Sequence, residues 1–152
     1  MLRRLLILAL LAGSTLTLGS CLDSGPFIPK IEDTNFDPSL GVDLAASTKT
    51  ASGLYYRDII VGTGVPAAEG DSVFTSYQLF LRTGASVQTA TYDFEIGAQQ
   101  AIEGYDEGLR GMQVGGRRQL IIPPQLAYGP LEIPGIPPYS ILVYVVDLTD
   151  IH

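Results

Sequence analysis

Apolar and polar residues alternate along the chain in several short segments, and this alternation predicts β-strands. The clearest segment is 73–81, where valine, threonine, tyrosine and leucine occupy one face. Similar patterns predict strands within 52–64, 85–96 and 117–122, and a last strand at 140–149. Glycines and prolines separate the segments, which indicates tight turns between them.

One stretch in the second half of the chain departs from this alternation. Ile102, Tyr105 and Leu109 stand three and four residues apart, which places them on one face of a helix. Gly111 and the glycine pair at 115–116 end that helix early. So short a helix is not stable alone and must pack on a sheet. We therefore expect an α+β domain, with an antiparallel sheet of about five strands wrapped around one short helix.

The first 20 residues have the pattern of an export signal. Two arginines precede an apolar run over residues 5–18, which is too short to span a membrane. The sequence Leu-Gly-Ser-Cys at 18–21 resembles the lipobox of bacterial lipoproteins, and that resemblance implies a lipid on Cys21. The alternative is an ordinary signal peptide followed by an unrelated cysteine.

Residues 21–50 are predicted to form a lipidated tether, because proline, aspartate, serine and glycine recur there without a helix or strand period. Part of this segment could lie against the domain, since Phe27, Ile28, Ile31 and Phe36 are apolar. The folded domain is expected over residues 51–152.

Charge and rare residues exclude several classes of function. The net charge is −7, and removal of Arg3 and Arg4 with the signal would make it −9, so a nucleic-acid footprint is not expected. Attachment to a membrane would need a lipid, because no basic patch is evident. With Cys21 and His152 as the only cysteine and histidine, we expect no internal disulfide, no Cys/His metal site, no cofactor and no histidine-dependent nucleophile.

A set of landmarks in the domain resembles the FKBP-type peptidyl-prolyl isomerases. The run Ala-Ile-Glu-Gly-Tyr at 101–105 is similar to the family's central helix, with Tyr105 in place of the usual tryptophan. The other landmarks are the Gly-Asp-Ser-Val turn at 70–73, Tyr77, Phe94, Ala-Tyr-Gly at 127–129 and Ile-Pro-Pro at 136–138. The alternative for Ile102, Tyr105 and Leu109 is that they only form core.

The resemblance implies a pocket for proline, with Tyr105 as its floor and Phe94 and Tyr144 as walls. The Ile102 N–H and the Tyr128 hydroxyl would hold substrate carbonyls. By resemblance, the catalytic residues are Tyr77, Gln88, Ile102 and Tyr128, and the substrate-binding residues are Val87, Tyr92, Phe94, Ala101, Tyr105, Ile136 and Tyr144. The family commonly has Phe-Asp where this chain has Val87 and Gln88, which predicts a weaker isomerase.

The function expected from the sequence is a peptidyl-prolyl cis/trans isomerase of the bacterial cell envelope, anchored to a membrane by a lipid and acting on proline-containing polypeptides. The resemblance also implies binding of macrolides such as rapamycin. Two alternatives stay open: a non-catalytic module or holdase chaperone that binds proline segments, and a purely structural envelope lipoprotein.

Overall fold

The computed structural model describes residues 25–152, so the predicted signal and Cys21 lie outside the described residues. Six strands and one helix follow in the order β1 (Thr48–Lys49), β2 (Tyr55–Ile60), β3 (Ser72–Leu81), β4 (Ser86–Glu95), α1 (Glu103–Leu109), β5 (Arg117–Ile122) and β6 (Leu142–Ile151). Single 3-10 turns occupy Pro38–Leu40 and Pro124–Leu126. Among the helices of residues 25–152, none is long and apolar enough to cross a membrane.

All six strands form one antiparallel sheet in the order β1-β2-β5-β6-β3-β4. This architecture confirms the predicted fold class, but the sheet has six strands instead of about five. The additional strand, β1, pairs Thr48 with Tyr56 and Lys49 with Tyr55. Two residues are too few for a visible alternation, so no strand was predicted there.

Helix α1 packs tightly on β5 through two glycines one turn apart. A Cβ atom at Gly104 would lie 2.4 Å from a methyl carbon of Ile122, and one at Gly108 would lie 2.6 Å from a methyl carbon of Leu120. Arg118 reaches under the helix and donates hydrogen bonds to the carbonyls of Gly108 and Arg110, at 2.9 and 3.2 Å. These bonds satisfy carbonyls at the helix end that have no partner within the helix.

The side of the sheet that carries α1 is the front face, and it holds the main core. Tyr105 and Leu109 point from the helix into this core and are 3% and 0% exposed, as their spacing predicts. Neighbouring strands contribute residues in one row, because Leu120 of β5 pairs with Tyr144 of β6 and Tyr144 pairs with Leu79 of β3. The helix and the two central strands therefore bury one continuous apolar layer.

The opposite side, the back face, is covered by the segment at residues 31–44. The sheet presents Tyr55, Ile121, Val143 and Phe80 in one row across four strands. Packed on or beside this row are Ile31, Phe36, Leu40, Val42, Leu44 and Ile141. The amide of Gln119 donates to the carbonyl of Leu40 at 2.7 Å and ties the segment to β5.

Within the described residues 25–50, this second core shows which part of the predicted tether lies against the domain. Ile31 and Phe36 pack there, as the sequence analysis allowed. Ile31 is 2% exposed, whereas Phe27 and Ile28 are 85% and 52% exposed. Ordered packing thus begins near residue 31, about 20 residues before the predicted domain boundary. Residues 31–50 contain no regular element apart from the 3-10 turn and β1, so the apolar residues of the segment at 31–44 follow no period that a sequence pattern could show.

Candidate functional site

An aromatic cup opens on the front face between α1, the central strands and the loop that follows β5. Its volume is about 340 Å³. The residues that line it are Tyr77, Tyr92, Gln100, Ala101, Ile102, Tyr105, Tyr128 and Tyr144. The alternation of β3 and β4 points Tyr77 and Tyr92 to this face, and β6 contributes Tyr144. Five tyrosines from five different parts of the chain thus meet at one cavity.

Tyr105 lies at the centre of the cup and contacts three other rings. Its ring centroid is 5.7 Å from that of Tyr77, 5.1 Å from that of Tyr144 and 5.8 Å from that of Phe94. The first two contacts are edge-on, which is a favoured arrangement for aromatic pairs. Tyr77 and Tyr144 also contact one another at 5.4 Å. These mutual contacts fix the shape of the cup before a ligand enters.

The hydroxyl of Tyr105 is held by Thr75, a residue that the sequence analysis did not assign to the site. The two hydroxyl oxygens lie 2.9 Å apart, and Thr75 also bonds the carbonyl of Tyr92 at 3.1 Å. Thr75 has a single hydroxyl proton, which goes to that carbonyl, so the Tyr105 hydroxyl donates to Thr75. The sequence feature that could have identified Thr75 is its position between Val73 and Tyr77 on the inward face of β3.

The buried tyrosines of the cup are uncharged at neutral pH. Burial raises the pKa of Tyr105 and of Tyr144 well above the ordinary value of 10, and it raises the pKa of Tyr77 in the same direction. Nearby tyrosine hydroxyls add to the pKa shift at each of the three positions. The cup is therefore apolar and neutral, with a rim of hydroxyl groups.

The loop before α1 brings a free backbone donor to the mouth of the cup. Ile102 has an extended conformation and begins the helix without a side-chain cap. Within residues 25–152, its N–H makes no hydrogen bond. The carbonyl of Gln100 accepts a hydrogen bond from the Tyr92 hydroxyl, and the Gln100 side-chain oxygen accepts one from the Glu95 N–H at 3.0 Å. Gln100, which the sequence analysis also missed, thus ties this loop to β4.

Four residues predicted for the site do not line the cup. Phe94 is 2% exposed and lies behind it, between the rings of Tyr92 and Tyr105. Ile136 is buried in the main core, and Val87 packs at the edge of that core. Gln88 is exposed and pairs with Leu79 in the β3–β4 ladder. An irregularity in the pairing after Leu79 sets Val87 out of register, so the sequence alone could not place these two neighbours.

A second cavity, of about 680 Å³, lies on the outer side of α1. Its lining is charged and includes Glu103, Asp106, Glu107 and Arg110. Arg110 pairs there with Asp106 and Glu69. Among residues 25–152 there is no group of three or more histidine, cysteine, aspartate and glutamate side chains that could hold a metal ion. The aromatic cup is therefore the candidate site for an apolar ligand.

Comparison with known proteins identifies one family. Residues 64–149 match the family described as FKBP-type peptidyl-prolyl cis-trans isomerase. The FkpA isomerase of Escherichia coli K12 is 37% identical over 107 residues, which is 68% of this chain and 40% of FkpA. FK506-binding protein 4 of Mycosarcoma maydis is 40% identical over 109 residues, covering 69% of this chain and 29% of that protein. The chain therefore matches less than half the length of these curated relatives.

Solved structures show the same fold. The crystal structure of FkpA from Escherichia coli superposes with a TM-score of 0.64 at 33% identity, covering 70% of this chain and 51% of FkpA. The crystal structure of AtFKBP13 superposes with a TM-score of 0.63 at 30% identity, covering 68% of this chain and 97% of that one. Almost the whole of the AtFKBP13 chain therefore corresponds to the domain of this protein.

Proposed function

Because the chain belongs to the family of FKBP-type peptidyl-prolyl cis-trans isomerases, we propose that it catalyses the cis/trans isomerisation of X–Pro bonds in polypeptides outside the cytoplasm. We also propose that a lipid on Cys21 anchors it to a bacterial membrane. The observation that carries the catalytic proposal is the neutral cup built around Tyr105.

The reaction requires no nucleophile, since no covalent bond breaks. Resonance gives the peptide bond double-bond character and a rotation barrier of about 18–20 kcal/mol. At the midpoint of rotation this resonance is lost and the amide is less polar than the planar form. A dry apolar cup therefore stabilises the twisted amide relative to the planar one.

Backbone and hydroxyl donors would orient the substrate. The N–H of Ile102, which makes no hydrogen bond within residues 25–152, is suited to bind a carbonyl that flanks the proline. Tyr128 lines the same cup and would donate its hydroxyl to a second carbonyl. The rings of Tyr77, Tyr105 and Tyr144 would enclose the proline ring itself. By family resemblance and by relatives named for FK506, the same cup would accept macrolides such as FK506 or rapamycin.

A prolyl isomerase assay tests this proposal. The mature chain should accelerate both a protease-coupled assay on a proline peptide and the proline-limited refolding of a model protein. Binding of the peptide without acceleration would favour the non-catalytic binding module or holdase. Absence of both binding and acceleration would favour a structural lipoprotein.

The anchor has its own test, which does not depend on activity. Changing Cys21→Ser should remove the acyl groups seen by mass spectrometry of the N-terminal peptide and release the protein from the membrane fraction. If the serine variant still pellets with membranes, the anchor proposal is wrong.

A further inference from the structure

Two consecutive apolar side chains are exposed just before the folded part of the chain. Phe27 is 85% exposed and Ile28 is 52% exposed, whereas Ile31 is 2% exposed on the back face. Phe27 lies at a groove of about 370 Å³ with Leu81, Arg82 and the loop at 137–141. This pair of side chains, Phe27 and Ile28, is called the apolar pair below.

Basic side chains flank the apolar pair. Arg82 lines the groove beside Phe27, and Lys30 lines the neighbouring groove beside Ile28. In the part of the chain that the structure describes, neither makes an ion pair, whereas Lys49, Arg110, Arg117 and Arg118 each pair with a carboxylate. Within residues 25–152, Phe27 and Ile28 thus each share a groove with one cation that makes no ion pair, although the chain has a net charge of −7.

The distance from Cys21 limits where the apolar pair can be. Phe27 follows Cys21 by six residues, and a fully extended chain of that length spans about 20 Å. A tether of 30 residues would allow the domain to move far from a membrane, but packing of the segment at 31–44 on the back face removes most of that length. A lipid on Cys21 would therefore hold Phe27 close to the phospholipid headgroups.

We propose that the apolar pair inserts into the interfacial region of a phospholipid bilayer and seats this end of the domain on the membrane. The inference rests on the proposed lipid anchor at Cys21. Aromatic and aliphatic side chains enter the boundary between headgroups and acyl chains, and adjacent cations face the phosphates. The β3–β4 turn and the loop at 137–141 would then face the bilayer, because they border the same groove.

The chain has no tryptophan, so a single introduced tryptophan reports on this contact. The acylated Phe27→Trp variant is reconstituted in phosphatidylcholine–phosphatidylethanolamine vesicles, with and without bromine on the acyl chains. We expect blue-shifted emission and about a twofold loss of intensity with the brominated lipids. The control is Val65→Trp. Val65 is 67% exposed, and its carbonyl accepts a hydrogen bond from the N–H of Val114, just before the start of β5 and away from the groove beside Phe27. The control variant should show water-like emission without quenching.

Three results would overturn the proposal. Emission from Trp at position 27 that matches the Val65→Trp control in wavelength and quenching would show that the pair stays in water. A blue shift without bromine quenching, together with a dimer by cross-linking, would show that a second copy covers the pair. An N-terminal peptide without acyl groups would overturn both the anchor and this inference, whereas loss of isomerase activity alone affects neither. Phe27 is exposed, so its replacement does not remove core packing.

Discussion

The two faces of the sheet are covered in different ways. A regular helix with two glycines covers the front face, and it places an aromatic residue at the centre of the cup. An irregular segment covers the back face through apolar side chains that pack on the sheet. The carbonyls of Leu40 and Gly41 in this segment also accept side-chain hydrogen bonds from Gln119 and Arg57. Side chains of β5 are equally buried on both faces, since Leu120 is 0% exposed on the front and Ile121 is 1% exposed on the back.

This difference separates stability from function. The front face contains a cavity because the rings of five tyrosines, Tyr105 among them, meet there without filling the space between them. The back face contributes the same kind of apolar burial without the aromatic cup. We therefore expect changes on the back face to lower the free energy of unfolding alone, and changes on the front face to affect activity as well.

Removal of the segment at 31–44, called the back cover below, should have the largest effect on the free energy of unfolding. A chain that begins at residue 51 lacks Ile31, Phe36 and Leu40, and it would expose Ile121 and Val143. Ile31, Ile121 and Val143 are fully buried, and each such side chain contributes about 1.5–3 kcal/mol, so the loss is comparable with a total stability of about 5–15 kcal/mol. Urea unfolding should show a non-cooperative or strongly shifted transition. A chain that begins at residue 29 is the control and should unfold as the chain from residue 25 does.

Truncation of one large side chain on each face gives the sharpest contrast. Tyr105→Ala should cost about 3–5 kcal/mol of stability and Ile121→Ala about 2–5 kcal/mol. Only Tyr105→Ala should also lower kcat/KM, by at least about tenfold. Circular dichroism establishes that each variant is folded at the assay temperature. A folded Tyr105→Ala variant with normal kcat/KM would make Tyr105 a core residue only.

The hydrogen bond between the hydroxyls of Thr75 and Tyr105 predicts that a second substitution restores part of the stability lost by the first. Thr75→Val leaves the buried Tyr105 hydroxyl without its acceptor, which should cost about 1–3 kcal/mol. Tyr105→Phe removes the donor and should cost about 0.5–1.5 kcal/mol. The double variant should therefore be more stable than Thr75→Val alone, by urea unfolding at neutral pH. Simple addition of the two losses would contradict the coupling between the two hydroxyls.

Acid should weaken the attachment of the back cover but leave the cup unchanged. Bonds from Lys49 and Tyr55 lower the pKa of Glu32 from 4.5 to about 2. The contribution of Glu32 is present above pH 4.5 and is lost as the pH falls toward 2. It is small because the ion pair is exposed. Glu32→Gln should flatten this part of the stability curve, whereas a curve identical to that of the parent would contradict the role of the pair.

The smallest effect is expected at Gln88, outside the cup. Gln88 stands where the family commonly has aspartate, and the sequence analysis therefore predicted a weaker isomerase. The Gln88 side chain, however, is exposed and does not line the cavity, so Gln88→Asp is not expected to raise activity. We now expect kcat/KM to change by less than about twofold. A clear gain in the protease-coupled assay, compared with Thr89→Asp as a neighbouring control, would show that Gln88 reaches the substrate.

Periodic elements could be predicted from the sequence, and aperiodic ones could not. The spacing of Ile102, Tyr105 and Leu109 predicted helix α1, and the alternation over 73–81 predicted β3. The segment at 31–44 has no period, and its partners Ile121 and Val143 are far away in the sequence. The bond between Thr75 and Tyr105 also depends on tertiary packing, so neither residue type alone indicates it.

The back cover also sets the order in which this domain can be completed. Ile31 near one end of the chain packs with Ile141 and Val143 near the other. Such contacts close a loop of more than 100 residues, and high contact order slows folding. The segment at 31–44 is synthesised first but finds its partners only after β6 has been made. Until then both the segment and the row it covers are exposed, so the nascent chain is most vulnerable to aggregation in the interval before its last strand pairs.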